Sequence, residues 1–195
     1  AYLTDRVDFA TFSGHKFHAV RGVGFVYKKA GKKITPLLTG GGQEKDFRST
    51  TENVAGIASM AKALRLVTDK EEFSLPKIAK MKKIIFDELA KYEDITIFSG
   101  EGEDFAPNIL TFGIKGVRGE VIVHAFEEHQ IYISTTSACS SKAGKPAGTL
   151  ISMGVPTKLA QTAVRISLDD DNDMGQVEQF LTIFKQVYAK TQKVR

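Results

Sequence analysis

Two reactive side chains, an amine and a thiol, stand far apart in this sequence. Lys16 closes the segment Ser13-Gly14-His15-Lys16, and Cys139 sits in Thr136-Ser137-Ala138-Cys139-Ser140-Ser141. A lysine amine adds to a carbonyl to form an imine when it is held in place and partly desolvated, so that some of it is unprotonated. Ser13 and His15 are able to donate to a phosphate, and Arg21 adds positive charge nearby. Cys139 is the only cysteine, so it forms no intramolecular disulfide and is either a small core residue or a reactive group. Its neighbours Ser134, Thr135, Thr136, Ser137, Ser140 and Ser141, followed by Lys142 and Lys145, are polar and mildly electropositive. Such surroundings favour the thiolate, which is the nucleophilic form. The two groups therefore read as acting on one substrate, the lysine through a bound carbonyl cofactor and the cysteine by direct attack. The plainer alternatives are an exposed basic turn at Ser13–Lys16 and a packed thiol at Cys139.

Two further stretches can bind. Arg165 is the one charge inside Ala163-Val164-Arg165-Ile166-Ser167-Leu168, and its fork of donors calls for a carboxylate. That carboxylate belongs either to a ligand or to a structural partner such as Asp169 or Asp170, and the sequence leaves both open. Gly40-Gly41-Gly42-Gln43-Glu44 leads into the polar string Phe47-Arg48-Ser49-Thr50-Thr51-Glu52-Asn53. Glycines followed by dense polar residues read as a binding loop rather than a flexible linker. His18, His124 and His129 have no metal-ligand spacing, and a single cysteine gives no zinc signature, so no metal is expected.

The elements that must position these residues follow from periodicity. Residues 7–12 and 22–28 are rich in β-formers and bracket the lysine segment as two strands, a pair that is marginal in water without further cover. An apolar segment from Val54 to Val67 has helical spacing. A second amphipathic helix is expected over Glu71–Tyr92, interrupted or begun near Pro76. Thr96–Ser99, Asn108–Ile114, Ile131–Ser134 and Ala163–Leu168 read as strands, and Gly119–His129, Leu150–Met153 and Met174–Lys190 as helices. The order predicts an α+β layer, a small sheet with helices packed on one side.

The totals set the class. A chain of 195 residues with 42% hydrophobic residues can bury a substantial core. It lacks the roughly 18 uninterrupted apolar residues of a membrane span, and Asp5, Arg6 and Asp8 stand where a signal peptide would be apolar, so a soluble, cytoplasmic protein is expected. The net charge of +4 is spread over helix-like segments, which fits solvated faces better than a nucleic-acid footprint.

Taken together, Asp8 to Lys16, Gly40 to Glu44 with Arg48 to Asn53, Thr136 to Cys139, and Val164 to Leu168 resemble the cysteine desulfurases, which are class-V aminotransferase-like enzymes. The resemblance runs through the whole chain in order. It implies the α/β fold of the fold-type I pyridoxal 5'-phosphate (PLP) transferases. Residues 1–67 are then a remnant of the PLP-binding large domain, and residues 68–195 the α+β C-terminal small domain with the cysteine loop. It implies a homodimer that turns L-cysteine into L-alanine, leaves a persulfide on its own cysteine, and passes sulfur to an iron-sulfur scaffold or a tRNA-thiolation protein. Position by position, Lys16 matches the lysine that carries PLP as an imine, and Ser13 and His15 match phosphate ligands. Thr51 matches a threonine reaching the phosphate of the other subunit's cofactor, Arg165 the clamp on the substrate carboxylate, and Cys139 the persulfide carrier.

Two departures accompany the resemblance. The family is about twice this length, so the chain, which begins on Ala1 rather than Met, looks like a C-terminal half whose N-terminal half is missing. Alone it is expected to bind PLP poorly and to be close to inactive. The family also usually has glycine where this chain has Thr50. The alternative from another class is a PLP-independent thiol sulfur carrier or redox module, which needs Cys139 but leaves Lys16, the glycine loop and Arg165 without a role.

Overall fold

Alternating aromatic and β-branched residues build the first element pair. Strand β1 (Phe9–Ser13) and strand β2 (Gly24–Lys28) run antiparallel, with Phe12 opposite Phe25 and Ser13 opposite Gly24. The Phe12 and Phe25 rings stack at 4.6 Å, and Phe17 meets Phe25 edge-on at 6.3 Å. Gly24 is required there, because a Cβ would come within 2.5 Å of the Phe12 carbonyl oxygen. These coordinates, a computed structural model, describe residues 3–102, 104–135 and 148–193. Cys139 and the segment around it lie outside the described residues.

The chain divides into two compact units, residues 1–72 and 73–195. Helix α1 (Val54–Leu89) contributes to both. Its N-terminus is capped by Asn53, whose Oδ1 accepts the Gly56 N–H at 3.0 Å. A Cβ on Gly56 would fall 2.4 Å from Val23, so glycine lets the first turn approach the residue that precedes β2. The sequence suggests one helical segment over Val54–Val67 and another over Glu71–Tyr92, interrupted or begun near Pro76, whereas the structure has one helix with Pro76 inside it. Packing overrides the local signal, because Ile78, Met81, Ile85 and Leu89 all bury against the core just beyond the proline.

The second unit is a four-stranded antiparallel sheet in the order β3-β4-β6-β5, formed by β3 (Ile95–Ile97), β4 (Ile109–Ile114), β5 (Ser134–Thr135) and β6 (Ala163–Ser167). Leu110 pairs with Ile166 and Phe112 with Val164, so these four and Ile114 share one face. On that face lie Met81, Ile85 and Leu89 of α1, Ile122 and Phe126 of α2 (Gly119–Glu127), and Phe180, Phe184 and Val187 of α5 (Met174–Lys193). Phe112, Phe126 and Phe184 are fully buried. The opposite face carries a smaller cluster, in which Ala163 packs with Leu150 of α3 (Gly148–Ser152) and Ala160 of α4 (Thr157–Ala160). The expected packing of helices on one side therefore holds for the three long helices only.

Most element boundaries shift by a few residues from expectation, and two of the shifts have a visible cause. The Ile131–Ser134 strand shrinks to Ser134–Thr135, because Ile131 and Ile133 pack on the core without entering the ladder. Helix α2 ends at Glu127, beyond which Gln130 takes the left-handed conformation at φ 59°. Buried Lys82 donates from Nζ to the carbonyls of Gly100 at 3.1 Å and Ala106 at 2.9 Å, tying α1 to the β3–β4 connection. Burial pushes its pKa down, opposed by the nearby Glu101 charge.

Candidate functional site

The lysine segment is a single 3-10 turn, Gly14–Phe17, set between the hairpin strands. Gly14 is buried, donates to the Val23 carbonyl at 2.9 Å, and accepts from the Ala19 N–H at 3.1 Å. A side chain at Gly14 would meet Val23 O at 2.9 Å and the Ala19 Cβ at 3.1 Å, so the turn has little freedom. His18 closes it in the left-handed conformation at φ 68°. Ser13, His15 and Lys16 thus sit together at one end of the hairpin by direct chain continuity. Among the described residues, no hydrogen bond or ion pair engages the side chains of Ser13, His15, Lys16 or Thr51. Lys16 is exposed, so the desolvation expected of an imine-forming lysine is not supplied by the described residues. Asp8, expected inside the strand, instead precedes β1 and pairs with Lys32 at 3.0 Å.

The glycine loop has an unusual backbone. Gly40 and Gly42 have φ of 153° and 80°, and the next 3-10 turn, Gln43–Asp46, carries Glu44, Lys45 and Asp46 at φ 51°, 55° and 66°. Three successive residues in the left-handed region form a turn that L-residues disfavour by about 1–2 kcal/mol each. It is held by Asp46 N–H to the Gly42 carbonyl at 3.2 Å and by Ser49 N–H to the Leu38 carbonyl at 3.0 Å. Thr50 is not among the left-handed residues, so its backbone carries no such penalty. Thr51 follows in an exposed extended stretch that ends at the Asn53 cap.

Arg165 lies in the second unit, in the middle of β6, directly opposite Thr111 of β4 and Ser134 of β5. Among the described residues, its Nε is buried without a hydrogen-bond partner. Among the described residues, neither Asp169 nor Asp170 engages this Nε, and both acids have interactions of their own. A buried guanidinium nitrogen left unsatisfied is costly and calls for a partner. The sequence did not single out Thr111 or Ser134. The available signal was a lone threonine in the otherwise apolar run Ile109 to Ile114. A separate cleft of about 290 Å³, edged by Tyr132, Ser167, Asn172 and Gln176, is lined by none of Ser13, His15, Lys16, Thr51 and Arg165.

Comparison with known proteins places this arrangement. A NifS-like protein from Rickettsia africae of known structure superposes with a TM-score of 0.81 at 32% identity, covering 94% of this chain and 48% of that one. The fold is therefore that of the NifS-like proteins. The class-V aminotransferase pattern matches residues 4–180, and the chain belongs to that family, whose members depend on PLP. A NifS/IcsS protein homolog from Lactobacillus delbrueckii subsp. bulgaricus is 47% identical over 192 residues, covering 98% of this chain and 50% of the relative. The cysteine desulfurase IscS of Dictyoglomus turgidum is 35% identical over 162 residues, covering 83% of this chain and 41% of the relative. The chain thus spans about half the length of the curated relatives it matches. No helix among the described residues is long and apolar enough to cross a membrane.

Proposed function

We propose that this chain is the C-terminal part of a PLP-dependent cysteine desulfurase that converts L-cysteine to L-alanine and carries the sulfur as a persulfide on Cys139. The observation that carries the reading is Arg165, a guanidinium whose Nε is buried and unpartnered among the described residues, in a chain related to cysteine desulfurases. The donor set fits a phosphorylated carbonyl cofactor, since the Lys16 amine and the Ser13, His15 and Thr51 side chains are all uncommitted. In the same reading, residues 1–67 complete the large domain and residues 68–195 form the small one.

When bound, PLP supplies an electron sink for chemistry at the α-carbon of an amino acid. Lys16 would hold its carbonyl carbon, and Ser13 and His15 its phosphate. Thr51 would reach the phosphate in the second subunit of a homodimer. The Lys16 amine would also be the base that moves the substrate's α-proton, a role suited to an amine with no competing partner. Arg165 holds the substrate carboxylate and so fixes which face of the α-carbon meets the lysine. The Cys139 thiolate then attacks the substrate sulfur: an S–S bond forms, the C–S bond breaks, and its electron pair stays on the carbon that takes a proton to become the alanine methyl. The persulfide passes to a cytoplasmic acceptor, an iron-sulfur scaffold or a tRNA-thiolation protein. Neither a membrane nor a nucleic acid enters this scheme directly, and the chain alone is inactive.

In the full-length enzyme, Lys16→Ala abolishes the borohydride-trapped cofactor adduct at residue 16, and Cys139→Ser abolishes both the persulfide and sulfide release from L-cysteine. Sulfide release at the wild-type rate by Cys139→Ser overturns the thiol's role. Absence of any cofactor absorbance and of any trapped adduct in the wild-type enzyme favours the PLP-independent thiol carrier instead.

A further inference from the structure

The orphaned Nε of Arg165 has a specific neighbour. Thr111 stands opposite Arg165 in the β4–β6 ladder. The Thr111 N–H donates to Ser99 Oγ at 2.8 Å, and its carbonyl accepts the Phe98 N–H at 2.8 Å. Both main-chain groups of Thr111 therefore point toward the β3 side, away from β6. In an antiparallel ladder this makes Thr111 and Arg165 a non-hydrogen-bonded pair, the type in which opposed Cα atoms approach to about 4.5 Å and side chains lie closest. Arg165 then directs its own main-chain groups toward β5, which makes its pairing with Ser134 the wider type.

Thr111 is also buried at 9% exposure, and its hydroxyl makes no hydrogen bond among the described residues. Two uncommitted groups, a hydroxyl acceptor and an Nε–H donor, thus share one face of the sheet on facing residues. Because the Nε is buried, an incoming carboxylate meets the terminal guanidinium nitrogens, and the Nε–H is left for the protein to satisfy.

We propose that Thr111 is a positioning residue for Arg165: its hydroxyl accepts the Nε–H when a ligand carboxylate engages the two terminal nitrogens, and so locks the guanidinium plane end-on to that carboxylate. This rests on the reading of Arg165 as a carboxylate clamp. A rotation of the Thr111 hydroxyl and a small shift of the arginine side chain suffice, with no change in the sheet. The role belongs to the hydroxyl, so serine preserves it and the isosteric valine removes it, while valine's β-branched shape keeps the strand intact.

The test uses the full-length enzyme. Thr111→Val raises KM for L-cysteine roughly ten-fold with kcat unchanged, the loss of one hydrogen bond to a charged group, and Thr111→Ser restores KM to near the wild-type value. Independently of turnover, the side-chain Nε–H NMR signal of Arg165 moves downfield, as on forming a hydrogen bond, on addition of L-alanine in the wild type and in Thr111→Ser, and does not move in Thr111→Val. An unchanged KM in Thr111→Val while Arg165→Lys raises KM overturns the inference about Thr111 alone. An unchanged KM in Arg165→Lys overturns the clamp itself. Equal losses in the serine and valine variants also overturn the inference, because they assign the effect to packing.

Discussion

At the scale of single residues, this chain concentrates backbone strain in one short turn. Glu44, Lys45 and Asp46 hold left-handed backbone in succession, although none is a glycine. Lys45 is exposed and makes no hydrogen bond or ion pair among the described residues, so its side chain offers nothing against the backbone penalty. Lys45→Gly is therefore expected to stabilise the chain by up to about 1 kcal/mol in urea unfolding, and Lys45→Val to destabilise it. Equal midpoints for wild type, Gly and Val variants would show that the turn relaxes freely. Such strain persists only when its surroundings over-determine it, and here the polar string carrying Thr51 follows directly.

At the scale of elements, helix α1 is tied to α5 by one carboxylate. Glu88 pairs with Lys91 at 2.6 Å and with Lys185 of α5 at 3.3 Å, and its side chain is only 13% exposed. The hydrogen bond from Lys91, aided by Lys185 and opposed by burial, holds the carboxyl below its ordinary pKa. A carboxylate depressed in the folded state contributes stability above its unfolded pKa and loses it as pH falls through the folded value. Glu88→Gln should therefore lower stability at neutral pH by less than about 1 kcal/mol, since both lysines are well exposed, and the difference from wild type should vanish in acid. Urea titrations at pH 7 and below the ordinary carboxylate range check this. A constant difference at both pH values would assign the effect to packing.

The same scale shows what the sequence could and could not tell. The β1–β2 hairpin was legible because Phe9 to Phe12 and Phe25 to Tyr27 carry β-forming side chains on both sides of a polar turn. Helix α5 was legible because Val177, Phe180, Phe184 and Val187 recur at helical spacing. Pro76 misled, since a local breaker signal says nothing of the buried Ile78 and Met81 that hold the next turn in place. The four-residue α4 is too short to show a period. Arg165 announced itself as a charge in an apolar run, but its partner Thr111 did not, because register across β4 and β6 is a long-range property that no local window contains.

At the scale of the whole molecule, the two units differ in how much they bury. The second holds a continuous core with Phe112, Phe126 and Phe184 fully enclosed. In the first, the buried hydrophobic residues among those described are Ala19 and Ala63, both small. Local opening is governed by buried apolar contacts, so amides of β4, β6 and α5 should resist hydrogen exchange in the isolated chain, while those of β1 and β2 exchange orders of magnitude faster. Comparable protection in both units would contradict the burial pattern. A half-buried hairpin bearing the lysine also accords with the expectation that this chain alone binds PLP poorly.

Pro76 has one more effect. A proline has no N–H to give, so the carbonyl of Glu72, four residues earlier in α1, lacks its helical donor. Glu72 is exposed and is the last residue of the first unit. With that residue exposed, water is the ready donor for the carbonyl oxygen, and the helix carries a hydration notch one turn before Pro76.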